Sequence, residues 1–208
     1  MRKDSLVFGV AGIFFGLLVG WIIGSQQAAA PQPAPTATVA SNGAAPAQQT
    51  AAAFDENRAA GLRRQAESNP QDADTRVQLG NMYFDAERFT DAVHWYEEAV
   101  KINPRDVNAS TDLGISYYYT NQPDRALTQF DRSLAIEPTH SKTLLNIGIV
   151  RAFGKQDLDG AAKAFQKVID VAPGSPEARA AKQALDGIRS AHPDLGGAEA
   201  PKQPGTQD

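Results

Sequence analysis

The chain has no cysteine, only three histidines, and no charged residue between Asp4 and Asp55. The first absence excludes disulfides, thiol catalysis, thiolate metal sites and lipid attachment to a cysteine. His94, His140 and His192 are far apart, and no pair has metal-ligand spacing. Each reads as a surface residue. Lysine and arginine form no block and the net charge is −4. Nucleic acid is therefore not expected as a partner, because phosphate contacts need clustered cations. No glycine-rich phosphate loop occurs and no serine stands in a nucleophile motif. Asp157 and Asp159 flank Leu158 but lack the further ligands of a calcium loop, and read as turn and cap residues. Asn108-Ala109-Ser110 fits a glycosylation sequon only by coincidence, since it falls inside a helix. No enzymatic activity, metal or cofactor is expected.

The uncharged N-terminal stretch divides in two. After a short basic segment, residues 1–5, the run Leu6 to Ile23 holds 18 residues without a charge. As a helix it spans roughly 27 Å, close to the hydrocarbon thickness of a bilayer. A signal peptide has an apolar region of about 7–15 residues. Residues 6–24 therefore read as a single-pass membrane anchor, with a cleaved signal as the alternative. Arg2 and Lys3 lie on one side and no Lys or Arg follows until Arg58. The positive-inside rule leaves the N-terminus in the cytoplasm and exports the rest, to the periplasm in a bacterium with two membranes. Gly12, Gly16, Gly20 and Gly24 share one helical face, a spacing that lets membrane helices pack closely and offers a route to homo-oligomers. Residues 25–53 are rich in Ala, Pro and Gln. They cannot bury enough apolar surface to offset chain entropy, so a disordered tether is expected.

Beyond the tether the chain repeats itself. Gly80, Gly114 and Gly148 are 34 residues apart, and Pro104, Pro138 and Pro173 are spaced by 34 and 35. Leu79, Leu113 and Ile147 precede the glycines. Tyr83, Tyr117 and Arg151 follow them by three residues. Ala92, Ala126 and Ala161 come next, then Tyr96, Phe130 and Phe165, then Ala99, Ser133 and Val168. A fixed period of this length marks a helical array whose units bury a core only by stacking. Small residues let two antiparallel helices approach, aromatic rings fill the adjacent space, and proline ends each second helix.

This register resembles the tetratricopeptide repeat (TPR). The tryptophan that often opens that repeat is replaced by Arg76, Ser110 and Leu144. The resemblance implies an all-α, right-handed solenoid of antiparallel helix pairs with helical caps. Its units are 73–106, 107–140 and 141–175, with helices near 73–86, 90–102, 107–120, 124–136, 141–153 and 159–171. Residues 54–69 form an N-terminal capping helix and 176–191 a C-terminal one, opened by Ser175-Pro176-Glu177. Asp72 and Asp124 read as caps or first-turn acids. The extra residue of the third unit is expected in its inter-helix turn, around Gly154–Gly160. Residues 192–208 read as a disordered tail.

In the TPR family the first helices line a concave groove that holds a peptide. Carried onto this chain, the groove comprises Val77, Asn81, Phe84, Thr111, Ile115, Tyr118, Tyr119, Lys142, Leu145, Asn146 and Ile149. Asn81 and Lys142 match the family's carboxylate clamp, whereas Val77, Asp112 and Asn146 do not. An extended, partly apolar peptide is expected instead, with asparagines on its backbone and tyrosines on its side chains. The expected function is a membrane-anchored adaptor in the bacterial cell envelope. The architecture also resembles the TPR subunits of cytochrome c maturation. A self-assembling scaffold without a peptide ligand is the alternative.

Overall fold

The computed structural model describes residues 54–193, and all regular structure among them is helical. Eight α-helices follow in order: α1 Glu56–Ser68, α2 Ala73–Asp85, α3 Phe89–Ile102, α4 Val107–Tyr119, α5 Pro123–Ile136, α6 Ser141–Ile149, α7 Leu158–Val171 and α8 Pro176–Ala191. Each expected helix of the array is present within about three residues of its expected ends, except the third first helix, described below. No helix among the described residues is long and apolar enough to cross a membrane. The expected anchor, its glycine face, the tether and the tail beyond residue 193 lie outside the described residues.

Helix starts follow from local chemistry. The side chains of Asp55, Asp72, Asp106, Asp157 and Ser175 each accept a hydrogen bond from the backbone N–H three residues on, satisfying a donor that the helix leaves orphaned. Asp106 is a cap that sequence reasoning does not single out, although it stands one period after Asp72. Asp124 lies in the first turn of α5, behind Pro123 at the helix start.

The core repeats as the sequence does. Tyr96, Phe130 and Phe165 are fully buried, and each lays its ring on the glycine of its own unit. A Cβ on Gly80, Gly114 or Gly148 would sit less than 3.0 Å from that ring, so only glycine fits. Ala92, Ala126 and Ala161 are completely enclosed one turn earlier. Burying one such phenylalanine contributes about 1.5–3 kcal/mol.

The three residues in the place of tryptophan solve one packing position in three ways. The buried Arg76 guanidinium donates to the carbonyls of Ala66, Asn69 and Asp72 and to Glu98. Ser110 Oγ accepts from Gln129 Nε2 at 2.7 Å and from Ser133 Oγ at 2.8 Å. Leu144 is simply buried.

The extra residue of the third unit lies earlier than expected. In units one and two the left-handed turn residues are Glu87 and Asn121, 34 apart; in unit three it is Gln156, 35 on. Gly148 is still in register with Gly114, so the added residue falls between 148 and 156. There α6 runs into a π-turn, Val150–Gly154, in which Lys155 N–H reaches back to the Val150 carbonyl at 3.0 Å. Widening the last helical turn absorbs one residue and keeps the glycine–phenylalanine contact.

Candidate functional site

The first helices α2, α4 and α6 lie side by side. Thr111 on α4 and Thr143 on α6 bond through their hydroxyls at 2.7 Å, and the rings of Phe84 on α2 and Tyr119 on α4 meet edge to face at 5.6 Å. These helices form one continuous face, on which the candidate groove residues fall into two groups.

Val77, Asn81, Phe84, Tyr118, Tyr119 and Lys142 keep some exposure. Thr111, Ile115, Leu145, Asn146 and Ile149 do not, which corrects their expected place on an open groove surface. Thr111 is 0% and Leu145 1% exposed. The close approach of α4 to α6 accounts for Thr111, whose hydroxyl also bonds the Val107 carbonyl at 2.7 Å. Asn146 turns its amide back onto the Lys142 carbonyl at 2.8 Å. Periodicity places these residues on the right helix side but does not give the distance between helices.

The exposed group centres on aromatic rings. Tyr119 stacks on Phe89 at 4.4 Å with 13° between planes, and Phe84 meets both rings edge-on. Tyr118 lies 6.0 Å from Tyr119 and borders the third unit, since a Cβ on Gly154 would come within 3.1 Å of its ring. Burial raises the Tyr119 phenol to about 12, with Tyr118 and Glu87 adding to it. Sequence reasoning misses Phe89 because it opens a second helix, outside the positions the family assigns to the groove.

Polar groups flank the rings. The Asn81 side-chain oxygen accepts from the Tyr96 phenol at 2.6 Å. The Lys142 ammonium bonds Asp112 at 2.6 Å, both side chains being about one-fifth exposed. Burial pushes the Asp112 carboxyl up, and Lys142 pulls it back without cancelling the shift. The clamp positions are therefore engaged internally: Lys142 is balanced by Asp112 and Asn81 is committed to Tyr96. Among the described residues no group of three His, Cys, Asp or Glu side chains could hold a metal ion.

His140, expected as a surface residue, is partly exposed and has its ring bonded. It occupies the cap place held by Asp72 and Asp106 in the earlier units, and its Nδ1 lies 2.6 Å from Thr143 Oγ1. With Thr111 donating to Val107, Thr143 donates to Thr111 and accepts from Nδ1–H of His140. Burial holds the imidazole below its ordinary 6.5; Lys142 acts the same way, whereas Glu137, Asp112 and Glu177 oppose it. The folded state thus prefers the neutral ring. Between its lowered value and 6.5 the unfolded chain binds more protons, so stability is full above about 6.5 and falls with pH below it. Urea unfolding from pH 5 to 7.5 is expected to show this rise, and His140→Gln to flatten it. An equal slope in the variant would reject the assignment.

Two family models match the chain. One described as TPR repeat covers residues 80–121, and one described as tetratricopeptide repeat covers 111–194. Among curated proteins none matches. Solved structures with the same fold include a MamA RS-1 double mutant, at TM-score 0.59 and 20% identity, with 68% of this chain and 77% of that chain covered. A MamA protein aligns at TM-score 0.54 and 19% identity over 66% and 76%. The Arabidopsis OM64 TPR domain aligns at 0.52 and 19% over 57% and 94%. At these identities the likeness is one of fold. The two models together span residues 80–194, more than half of the 208 residues, and the helix pairs there carry the glycine–aromatic contact three times over: the chain belongs to the tetratricopeptide-repeat family, whose repeats serve protein–protein interaction.

Proposed function

We propose that this protein is a membrane-anchored adaptor that holds a segment of a partner protein against the face of its first helices, on the exported side of a bacterial inner membrane. The observation that carries this reading is the aromatic ledge of Phe84, Phe89, Tyr118 and Tyr119, which keeps partial exposure on that face. Rings that are packed yet partly exposed present rigid apolar area at small entropic cost. The uncharged run Leu6 to Ile23 and the arginine and lysine before it support the anchor and its orientation. Assembly of a protein complex in the cell envelope fits this arrangement, with cytochrome c maturation as one instance on the strength of architecture. The internal pairing of Lys142 and Asn81 favours a partner segment without a clamped terminal carboxylate.

A photocrosslinking residue placed at Tyr118 of the full chain in its native cell is expected to capture a discrete partner. The same residue at exposed Lys101, on the second helix of unit one, is expected to capture none. Identical products from both positions would reject the groove. Capture of a second copy of this chain from Tyr118 would favour a self-assembling scaffold. The double substitution Tyr118→Ala with Tyr119→Ala is expected to reduce capture at least tenfold by removing two ring contacts of roughly 1 kcal/mol each. Because Tyr119 also stacks on Phe89, its melting curve is recorded alongside.

A further inference from the structure

Two arginines of this chain are held in the same manner. The Arg88 guanidinium lies 4.7 Å from the ring centres of both Phe54 and Tyr83, and pairs with Asp91 at 2.9 Å and Glu56 at 3.4 Å. The Arg125 guanidinium lies 4.0 Å from the ring centre of Tyr117 and pairs with Glu97 at 2.9 Å. Each arrangement sets a flat ring and a carboxylate around one cation, the geometry that suits a guanidinium better than an ammonium.

A third aromatic–acid arrangement borders the face of the first helices. A shallow cleft between the turn after α2 and the end of α4 is lined by Glu87, Arg88, Phe89, Asp91 and Tyr119, among others. Its rings are the Phe89–Tyr119 stack. Arg88 turns its guanidinium away onto Phe54 and Tyr83, and Asp91 balances its charge. Glu87 is exposed and its carboxylate forms no ion pair or hydrogen bond among the described residues, so the cleft retains its negative charge. We propose that this cleft receives an arginine side chain of the partner segment, its guanidinium laid against the Phe89–Tyr119 stack and paired with Glu87. This rests on the peptide-binding reading above and adds the chemistry that the partner must carry.

The test is a selection of random dodecapeptides displayed on phage against the full chain in detergent micelles, repeated with Glu87→Gln. The expected result is arginine enriched at one peptide position with the native chain and lost from that position with the variant. A selected peptide, synthesised with a fluorescent label, is expected to bind Glu87→Gln roughly two- to fivefold more weakly by anisotropy, the size of one exposed ion pair, since the ring stack remains. Replacing its arginine by lysine is expected to weaken it similarly on the native chain. Peptides selected without arginine, or equally well bound by Glu87→Gln, would overturn the proposal and leave the peptide groove standing. Failure to select any peptide would overturn both.

Discussion

Gly114→Ala is expected to lower the stability of the array by about 1–3 kcal/mol, the usual cost of forcing an extra carbon into a close-packed core, and Gly114→Leu to prevent folding. The added Cβ would lie 2.7 Å from Cδ1 of Phe130 and closer still to Cε1. Phe130 is itself fully enclosed, so its ring has nowhere to turn. Relief requires α4 and α5 to separate, and that also opens the contacts of the central unit with both neighbours, since an array is held by nearest-neighbour interfaces. Gly187→Ala is the matched control. It lies inside α8 with nothing within 4 Å of a built Cβ, and is expected to gain up to about 1 kcal/mol from helix propensity. Urea midpoints by circular dichroism read both changes. Equal midpoints for Gly114→Ala and the native chain would refute the glycine–ring contact as a determinant of this fold.

Arg76→Ala is expected to cost about 2–3 kcal/mol, because the Ala66 and Asp72 carbonyls lose their side-chain donor at roughly 1 kcal/mol each, the Asn69 carbonyl keeps only the Asp72 N–H, and Glu98 loses its partner. The Ala66 carbonyl belongs to the last turn of α1, where Pro70 offers it no N–H, and the Asn69 carbonyl just beyond shares Arg76 with the Asp72 N–H. The Asp72 carbonyl begins α2. One side chain thus fastens the leading helix to the first full unit. Hydrogen exchange is expected to accelerate in α1 far more than in α7 or α8. A uniform acceleration, or none, would show that α1 is held by its apolar side alone, through Ala59, Leu62 and Ala66.

Much of this fold is legible in the residue order alone. The spacing of Gly80, Gly114 and Gly148 and the ring that follows each is a periodic signal, and periodicity survives without knowledge of distance. The departures from the pattern are visible too, but not their meaning. Arg76 in the place of a tryptophan reads as a defect until its guanidinium is seen on three carbonyls. The added residue of unit three reads as part of the inter-helix turn because turns tolerate insertion. It lies instead in a π-turn at the end of α6, where it preserves the register of Gly148.

The candidate site is less legible for a related reason. Helical spacing assigns a residue to a side of its helix, and it assigns Thr111, Leu145 and Tyr119 to the same side. It carries no information on how far the next helix stands. That distance encloses Thr111 against Thr143, leaves Lys142 beside Asp112, and sets Phe89 from a second helix onto Tyr119 from the following unit. The sequence by itself determined the number of helices, the period and the buried glycine–ring contacts, because these follow from local propensity and repetition along one chain. Only the tertiary structure decided which face residues are open and how charges pair, because burial and pairing depend on separations between helices that are distant in sequence.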